Sequence, residues 1–328
     1  MVALAADARR LRDRCPRQTS MNSVPPRIVC RAPAKLNLFL EVLGRRPDGY
    51  HDLASLMVPL DWHDELSFQP AAELKLTCDH PALDVGPGNL ILRAGRLLQQ
   101  AAGVARGAAI HLSKRLPWAA GLGGGSSDAA ATLRGLNELW NLKLPPAELH
   151  QLAAQLGSDV NFFLVDGPAW CTGRGEQVAP LDLRLELAVL LVLPGFGLKT
   201  PEVFNRLQVP AVPRDVEAAR RQWTQVDNVE PLHGLMFNRL QEPALALRPE
   251  LADVPLMLAA ADTAGEVVAS QLSGSGSAWF AVCRSMTGAQ RLAALLPTQI
   301  KSWPRLAQAG LRFVTARTER ARLPRMDA

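Results

Sequence analysis

The segment Pro117-Trp-Ala-Ala-Gly121-Leu-Gly123-Gly124-Gly125-Ser126-Ser127-Asp128 constrains this chain more than any other. Four of the five residues from 121 to 125 are glycine. Glycine costs chain entropy, so such a concentration implies that the backbone must approach something closely. The apolar spacing of Ala130, Leu133, Leu136 and Trp140 predicts a helix from Ser126, with Ser126 or Ser127 as its N-cap. A glycine run opening onto a helix directs unpaired N–H groups and the positive dipole end at one place, which makes an anion site. The serine hydroxyls can add contacts to phosphate or Mg²⁺. Two familiar phosphate loops do not fit. A Walker loop requires a lysine that is missing here, and the dinucleotide fingerprint fails because Ser126 stands where its last glycine belongs. Ser113–Pro117 also separates the preceding strand from the glycines, unlike the tight strand-to-loop turn of a dinucleotide fold.

The flanking sequence predicts an α+β chain. Residues 32–66 read as β structure, with Leu36, Leu38, Leu40 and Val42 alternating with Lys35, Asn37, Phe39 and Glu41. Alternation predicts one core face and one face carrying polar groups. Pro47-Asp48-Gly49 is a turn. A helix is predicted over 89–103 and a short strand over 109–112. Pro146 at the first position and Gly157 past the end bracket another helix. Strands follow over 168–193. The Pro-, Arg- and Gln-rich stretch at 206–228 reads as a linker or long surface excursion. Ser273–Ser277 is a second glycine turn, leading into a strand over 278–282 and a helix over 287–296. Strands come in groups instead of alternating with helices, which predicts two lobes with the working cleft between them.

Charge and cysteine usage narrow the function classes. Residues 1–31 hold seven arginines against Asp7 and Asp13 and so carry the whole net charge of +5. A basic body built for nucleic acid is therefore not expected, nor a membrane partner, and residues 1–25 read as a flexible basic extension. That extension is a poor signal peptide and a poor transit peptide, and Met21 is an alternative start. No apolar run approaches the ~20 residues of a membrane span. Five cysteines without paired spacing argue against a disulfide framework and against zinc, and predict a reducing, cytoplasmic setting.

Three strings in this order resemble the signatures of the superfamily of galactokinase, homoserine, mevalonate and phosphomevalonate kinases (the GHMP kinases). They are Arg31-Ala-Pro-Ala-Lys35-Leu-Asn37-Leu, Pro117–Asp128 and Leu272-Ser-Gly274-Ser-Gly276-Ser-Ala. Further strings resemble one branch of it, the 4-diphosphocytidyl-2-C-methyl-D-erythritol kinases. These are Arg46-Pro-Asp-Gly-Tyr-His51, Gly157-Ser-Asp-Val160, Gly173-Arg-Gly-Glu176 and Thr200-Pro-Glu-Val-Phe204. The likeness covers residues 28–316, with domains expected at 26–183 (nucleotide-binding) and 184–328.

The resemblance implies phosphorylation of an alcohol by ATP with Mg²⁺, in the non-mevalonate route to isoprenoid precursors, by a monomer or weak homodimer. It implies that Asp159 removes the proton from the acceptor hydroxyl and that Lys35 partners it; opposite charges at ~4–6 Å favour both charged forms. With only six lysines against thirty arginines, Lys35 is the less random for being lysine. Pro117, Trp118, Ala119, Ala120, Gly121, Leu122, Gly123, Gly124, Gly125, Ser126 and Ser127 would hold the ATP phosphates. Asn37, Tyr50, His51, Thr200 and Phe204 would hold a cytidine-diphosphate acceptor, with Tyr50 and Phe204 sandwiching its ring. Gly274 and Gly276 would form a glycine turn beside the site. No metal ligand is assigned beyond Ser126 or Ser127 as candidates. The competing reading is a homoserine- or mevalonate-type kinase, which would not require Gly49-Tyr50-His51 with Phe204. A regulator without chemistry would not need both Lys35 and Asp159. Two positions depart from the branch pattern, Gly88 and Asn161.

Overall fold

A computed structural model describes residues 27–320. The basic extension expected over 1–25 lies outside the described residues. The chain opens with two long antiparallel strands, β1 (Ile28–Arg45) and β2 (His51–Ala71). Between them the predicted turn forms, with Gly49 at φ 85° and the Tyr50 N–H donating to the Asp48 carboxylate. After β3 (Leu74–Cys78), helix α1 (Leu90–Ala102) is capped by the Asn89 side chain and closed by Gly103 in the left-handed region. Then come β4 (Gly107–Ser113), α2 (Gly124–Leu139), α3 (Pro146–Leu156), β5 (Ala169–Gly173), β6 (Gln177–Pro180) and β7 (Ala188–Leu193). The remainder is α4 (Thr200–Arg206), α5 (Val216–Thr224), α6 (Leu232–Leu235), β8 (Phe237–Asn238), α7 (Gln241–Leu247), α8 (Asp253–Ala261), β9 (Val267–Leu272), β10 (Trp279–Cys283), α9 (Met286–Gln299), α10 (Pro304–Gln308) and β11 (Arg312–Arg317).

Two sheets result. The larger is ordered β3-β4-β2-β1-β8, with β5 and β6 added along β2; the smaller is β11-β7-β10-β9. Helices α1, α2 and α3 cover one face of the larger sheet, where Leu98, Leu133 and Leu136 meet Leu66, Phe68 and Ile110. Its other face packs on the smaller sheet through Leu36, Leu56, Val189, Leu191 and Phe280. Helices α8 and α9 cover that sheet in turn, with Met257, Leu258 and Leu292 against Val192 and Trp279. Each such buried side chain contributes ~1.5–3 kcal/mol relative to exposure. The α+β class expected from the sequence is the one observed.

The layering encloses both faces of β1, and the predicted polar row of Lys35, Asn37 and Glu41 is buried. A strand covered on both faces has no solvent side, so its polar groups must pair internally. Glu41 does so through a bidentate ion pair with Arg239 (2.7 Å to each oxygen) and the Arg214 N–H. The 206–228 stretch is likewise more than a linker. Asp215 caps α5, and Trp223 and Val226 are buried. The second half of the chain also reaches back into the first. β8 pairs with β1, the Gln271 side chain donates to the carbonyls of Asn37 and Leu38, and the Ala278 N–H donates to the Ala120 carbonyl.

Candidate active site

Lys35 and Asn37 sit where the β1–β2 register shifts twice, between Pro33 and Lys35 and between Asn37 and Phe39. Such bulges re-aim side chains. Here they place the Lys35 ammonium 2.5 Å from the Asn37 side-chain oxygen and 3.7 Å from the Asp159 carboxylate. Asn37 donates onward to Ser55 Oγ (2.8 Å), which donates to the Phe39 carbonyl (2.7 Å). Each rotamer is thereby fixed. Burial pushes the Lys35 ammonium below its ordinary pKa, with Asp159 opposing that shift. Asp159 lies in the turn after α3, with its side chain about three-tenths exposed to the cavity described below.

The glycine segment approaches this pair from the other side. The Lys35 N–H donates to the Leu122 carbonyl, which ties the loop to β1. Gly121 and Gly123 adopt φ of 75° and 72°, a region that side chains resist. A Cβ on Gly121 would fall 2.0 Å from the Ser273 carbonyl oxygen, and one on Gly123 would fall 2.8 Å from Phe163 and 3.0 Å from Lys35. Helix α2 starts two residues earlier than the sequence predicts. Gly123, turning at positive φ, is its N-cap and offers no side chain to the first-turn N–H groups. Those groups are left for a ligand. Gly125 is exposed in this first turn, and a Cβ there would meet only Leu90 at 3.6 Å. The space over its backbone suits a phosphate oxygen.

Beneath the loop lies a buried cluster that sequence reasoning missed. Lys114 Nζ bridges Asp64 (2.5 Å) and Asp128 (2.9 Å), and Asp64 also accepts from the N–H groups of Arg115 and Leu116. Burial pushes the Asp128 carboxyl up to about 7, against the pull of Lys114 and with the push of Asp64. For Lys114 itself burial acts downward, but the two carboxylates outweigh it and the ammonium titrates above its ordinary value. The scarcity of lysine that singled out Lys35 applies equally to Lys114.

One cavity of about 910 Å³ gathers most of the expected residues. Pro117, Ala119 to Ser126, Lys35, Asn37, Asp159, Gly274, Tyr50, His51, Thr200 and Phe204 all line it. Three expected residues do not line it. Trp118 is half exposed and meets His80 edge-on at 4.8 Å. Ser127 is buried, and its Oγ has no hydrogen-bond partner among the described residues. Gly276 packs against Leu272 and Leu198 instead. The two rings expected to sandwich the acceptor's base contact other side chains here. Phe204 stacks on His51 (centroids 4.9 Å apart, 28° between planes), while Tyr50 lies under the Arg174 guanidinium at 4.8 Å. Burial, with the Arg45 charge adding, pushes the His51 imidazole below its ordinary pKa. Thr200 and Ser275 share a 2.9 Å hydrogen bond across this wall. Among the described residues no three His, Cys, Asp or Glu side chains converge as a metal cluster.

Comparison with known proteins bears on this geometry. Residues 89–167, which include the glycine loop and Asp159, match the GHMP kinases N terminal domain. A 4-diphosphocytidyl-2-C-methyl-D-erythritol kinase of Pelotomaculum thermopropionicum is 40% identical over 81% of this chain and 93% of its own. A crystal structure of 4-(cytidine 5'-diphospho)-2C-methyl-D-erythritol kinase superposes with a TM-score of 0.70 at 34% identity, covering 89% of this chain and 99% of that one. A homoserine kinase from Cytophaga hutchinsonii shares the fold, with a TM-score of 0.67 over 91% of this chain and 96% of its own, at only 17% identity. Identity at the level of the first two, held over nearly their whole lengths, makes this chain a member of the 4-diphosphocytidyl-2-C-methyl-D-erythritol kinase family of GHMP kinases.

Proposed function

We propose that this kinase transfers the γ-phosphoryl group of ATP to the 2-hydroxyl of 4-diphosphocytidyl-2-C-methyl-D-erythritol, with Asp159 as general base and Lys35 as its partner. One observation carries the reading. The Lys35–Asp159 pair, 3.7 Å apart, lies on the wall of the cavity that the glycine loop and the Tyr50, His51 and Phe204 rings share. Phosphoryl transfer requires in-line positioning and charge neutralisation more than covalent participation by the protein. The first turn of α2 provides N–H donors for the ATP phosphates, and Asp159 receives the proton as the hydroxyl oxygen attacks. Lys35 compensates the aspartate charge and, through Asn37, fixes its own position on β1. Mg²⁺ bound with ATP supplies further neutralisation of the phosphates. Ser126, which lines the cavity, suits that ion better than the enclosed Ser127.

The neutral form of His51, favoured by its depressed pKa, offers one donor and one acceptor to a base edge. Its stack on Phe204 marks a plane where a pyrimidine ring can lie once the imidazole moves aside. The same reading takes the chain as a cytoplasmic enzyme of small molecules, a monomer or weak homodimer, with working units near 26–183 and 184–328. No helix among the described residues is long and apolar enough to cross a membrane. The test is turnover of purified protein with ATP against the cytidyl acceptor, homoserine and mevalonate. The reading expects ADP release with the first alone; turnover of mevalonate or homoserine at comparable kcat/KM would overturn it.

A further inference from the structure

We infer that Arg174 binds the diphosphate of the acceptor, bridging the base slot and the phosphorylation centre. The inference rests on the acceptor reading above, and it concerns a residue to which that reading gives no role. An acceptor held by its pyrimidine at Tyr50 and Phe204 and by its alcohol at Asp159 must lay its diphosphate across the wall between them. Arg174, in the turn Gly173-Arg174-Gly175-Glu176, lines the cavity there. At one end the guanidinium lies 4.8 Å over the Tyr50 ring. At the other, the Gly175 Cα is so close to the catalytic turn that an added Cβ would sit 3.4 Å from the Ser158 carbonyl oxygen and 3.7 Å from the Asp159 carboxylate. Arg174 thus spans the two half-sites.

The charges nearby leave it free for this task. The Lys35 ammonium is held by Asn37 and Asp159. Arg45, the other guanidinium on the cavity wall, lies at the exposed end of β1. Arg174 has five N–H donors and spends them poorly. Its side chain makes one long hydrogen bond, 3.4 Å to the Ala154 carbonyl, and stands 3.9 Å from Glu176. Glu176 is occupied instead with the Arg174 backbone N–H at 2.6 Å. That bond and the Asn161 side chain, which donates to the Glu176 carbonyl, hold the turn while leaving most of the guanidinium donors without a close acceptor. A planar fork with free donors suits two phosphate oxygens.

The test compares competitive inhibition by cytidine diphosphate and by cytidine in wild type, Arg174→Met and Arg174→Lys, with calorimetric binding as a second readout. In Arg174→Met the inhibition constant for cytidine diphosphate should rise by about 10- to 100-fold, while that for cytidine changes by less than about twofold. Arg174→Lys should fall between, because it keeps the charge and loses the fork. Equal weakening of both ligands would mean that Arg174 acts only by packing on Tyr50, and no weakening of either would remove it from the site. Either result overturns the inference. Failure of the wild type to bind either ligand would instead strike the acceptor reading itself.

Discussion

Gly123 and Gly125 stand two residues apart in one loop, yet alanine should affect them in different ways. Gly125 has helical backbone, is exposed, and offers a Cβ only the Leu90 methyl at 3.6 Å. Alanine there costs the fold nothing and gains up to ~1 kcal/mol of helix propensity. What it occupies is the space where a phosphate oxygen would meet the first-turn N–H groups. Losing one charge-assisted contact of ~1.5–3 kcal/mol raises the KM for ATP by about 10- to 150-fold. Gly123 sits at φ 72°, where a side chain costs ~1–2 kcal/mol. Its Cβ would also force Phe163 and the Lys35 stem to move. Gly123→Ala should therefore lower the melting temperature and reduce kcat, because Lys35 shifts relative to Asp159. The assays are thermal denaturation and ADP formation under varied ATP. Gly125→Ala with the ATP KM of wild type, or the two variants behaving alike, would refute the reasoning.

Two further outcomes are expected. Asp128 titrates at about 7 in the folded chain against an ordinary value of 3.8, so the native state holds an extra proton between them and loses stability as pH rises through that window. Asp128→Asn removes this loss while keeping an acceptor for Lys114, so its melting temperature relative to wild type should be higher at pH 8 than at pH 5; an equal difference at both pH values would contradict the sign. Phe204→Ala should raise the acceptor KM by about 5- to 150-fold on the strength of one stacking contact, and a parallel rise for ATP would place the base elsewhere.

The parts of the site written in contiguous sequence were legible. Four glycines before an apolar helix spacing announced an anion site, and period two along β1 put Lys35 and Asn37 on one side. Asn89 and Gly103 bound α1 as a side-chain cap and a left-handed glycine do in general. The start of α2 was missed because a glycine cap at positive φ leaves no side-chain signature. Alternation reveals the two faces of β1 but not how many layers cover them, so the burial of its polar row is legible only in the structure. The Lys114–Asp64–Asp128 cluster joins residues 50 and 14 positions apart, and no local pattern connects them. The docking of α5 depends on Trp223 and Val226 finding a distant core, and on Glu41 accepting from the Arg214 N–H. Composition alone made that stretch look like a linker.

The most direct measurement is the chemical step itself in Asp159→Asn, which keeps the shape of the side chain facing Lys35 and removes its basic oxygen. Single-turnover phosphorylation of the cytidyl acceptor, with excess enzyme and saturating ATP, isolates that step from binding and product release. Transfer should slow by roughly 10²–10⁴, with the dissociation constants of ATP and acceptor within about threefold of wild type. A rate equal to that of wild type would contradict the assignment of Asp159 as the base.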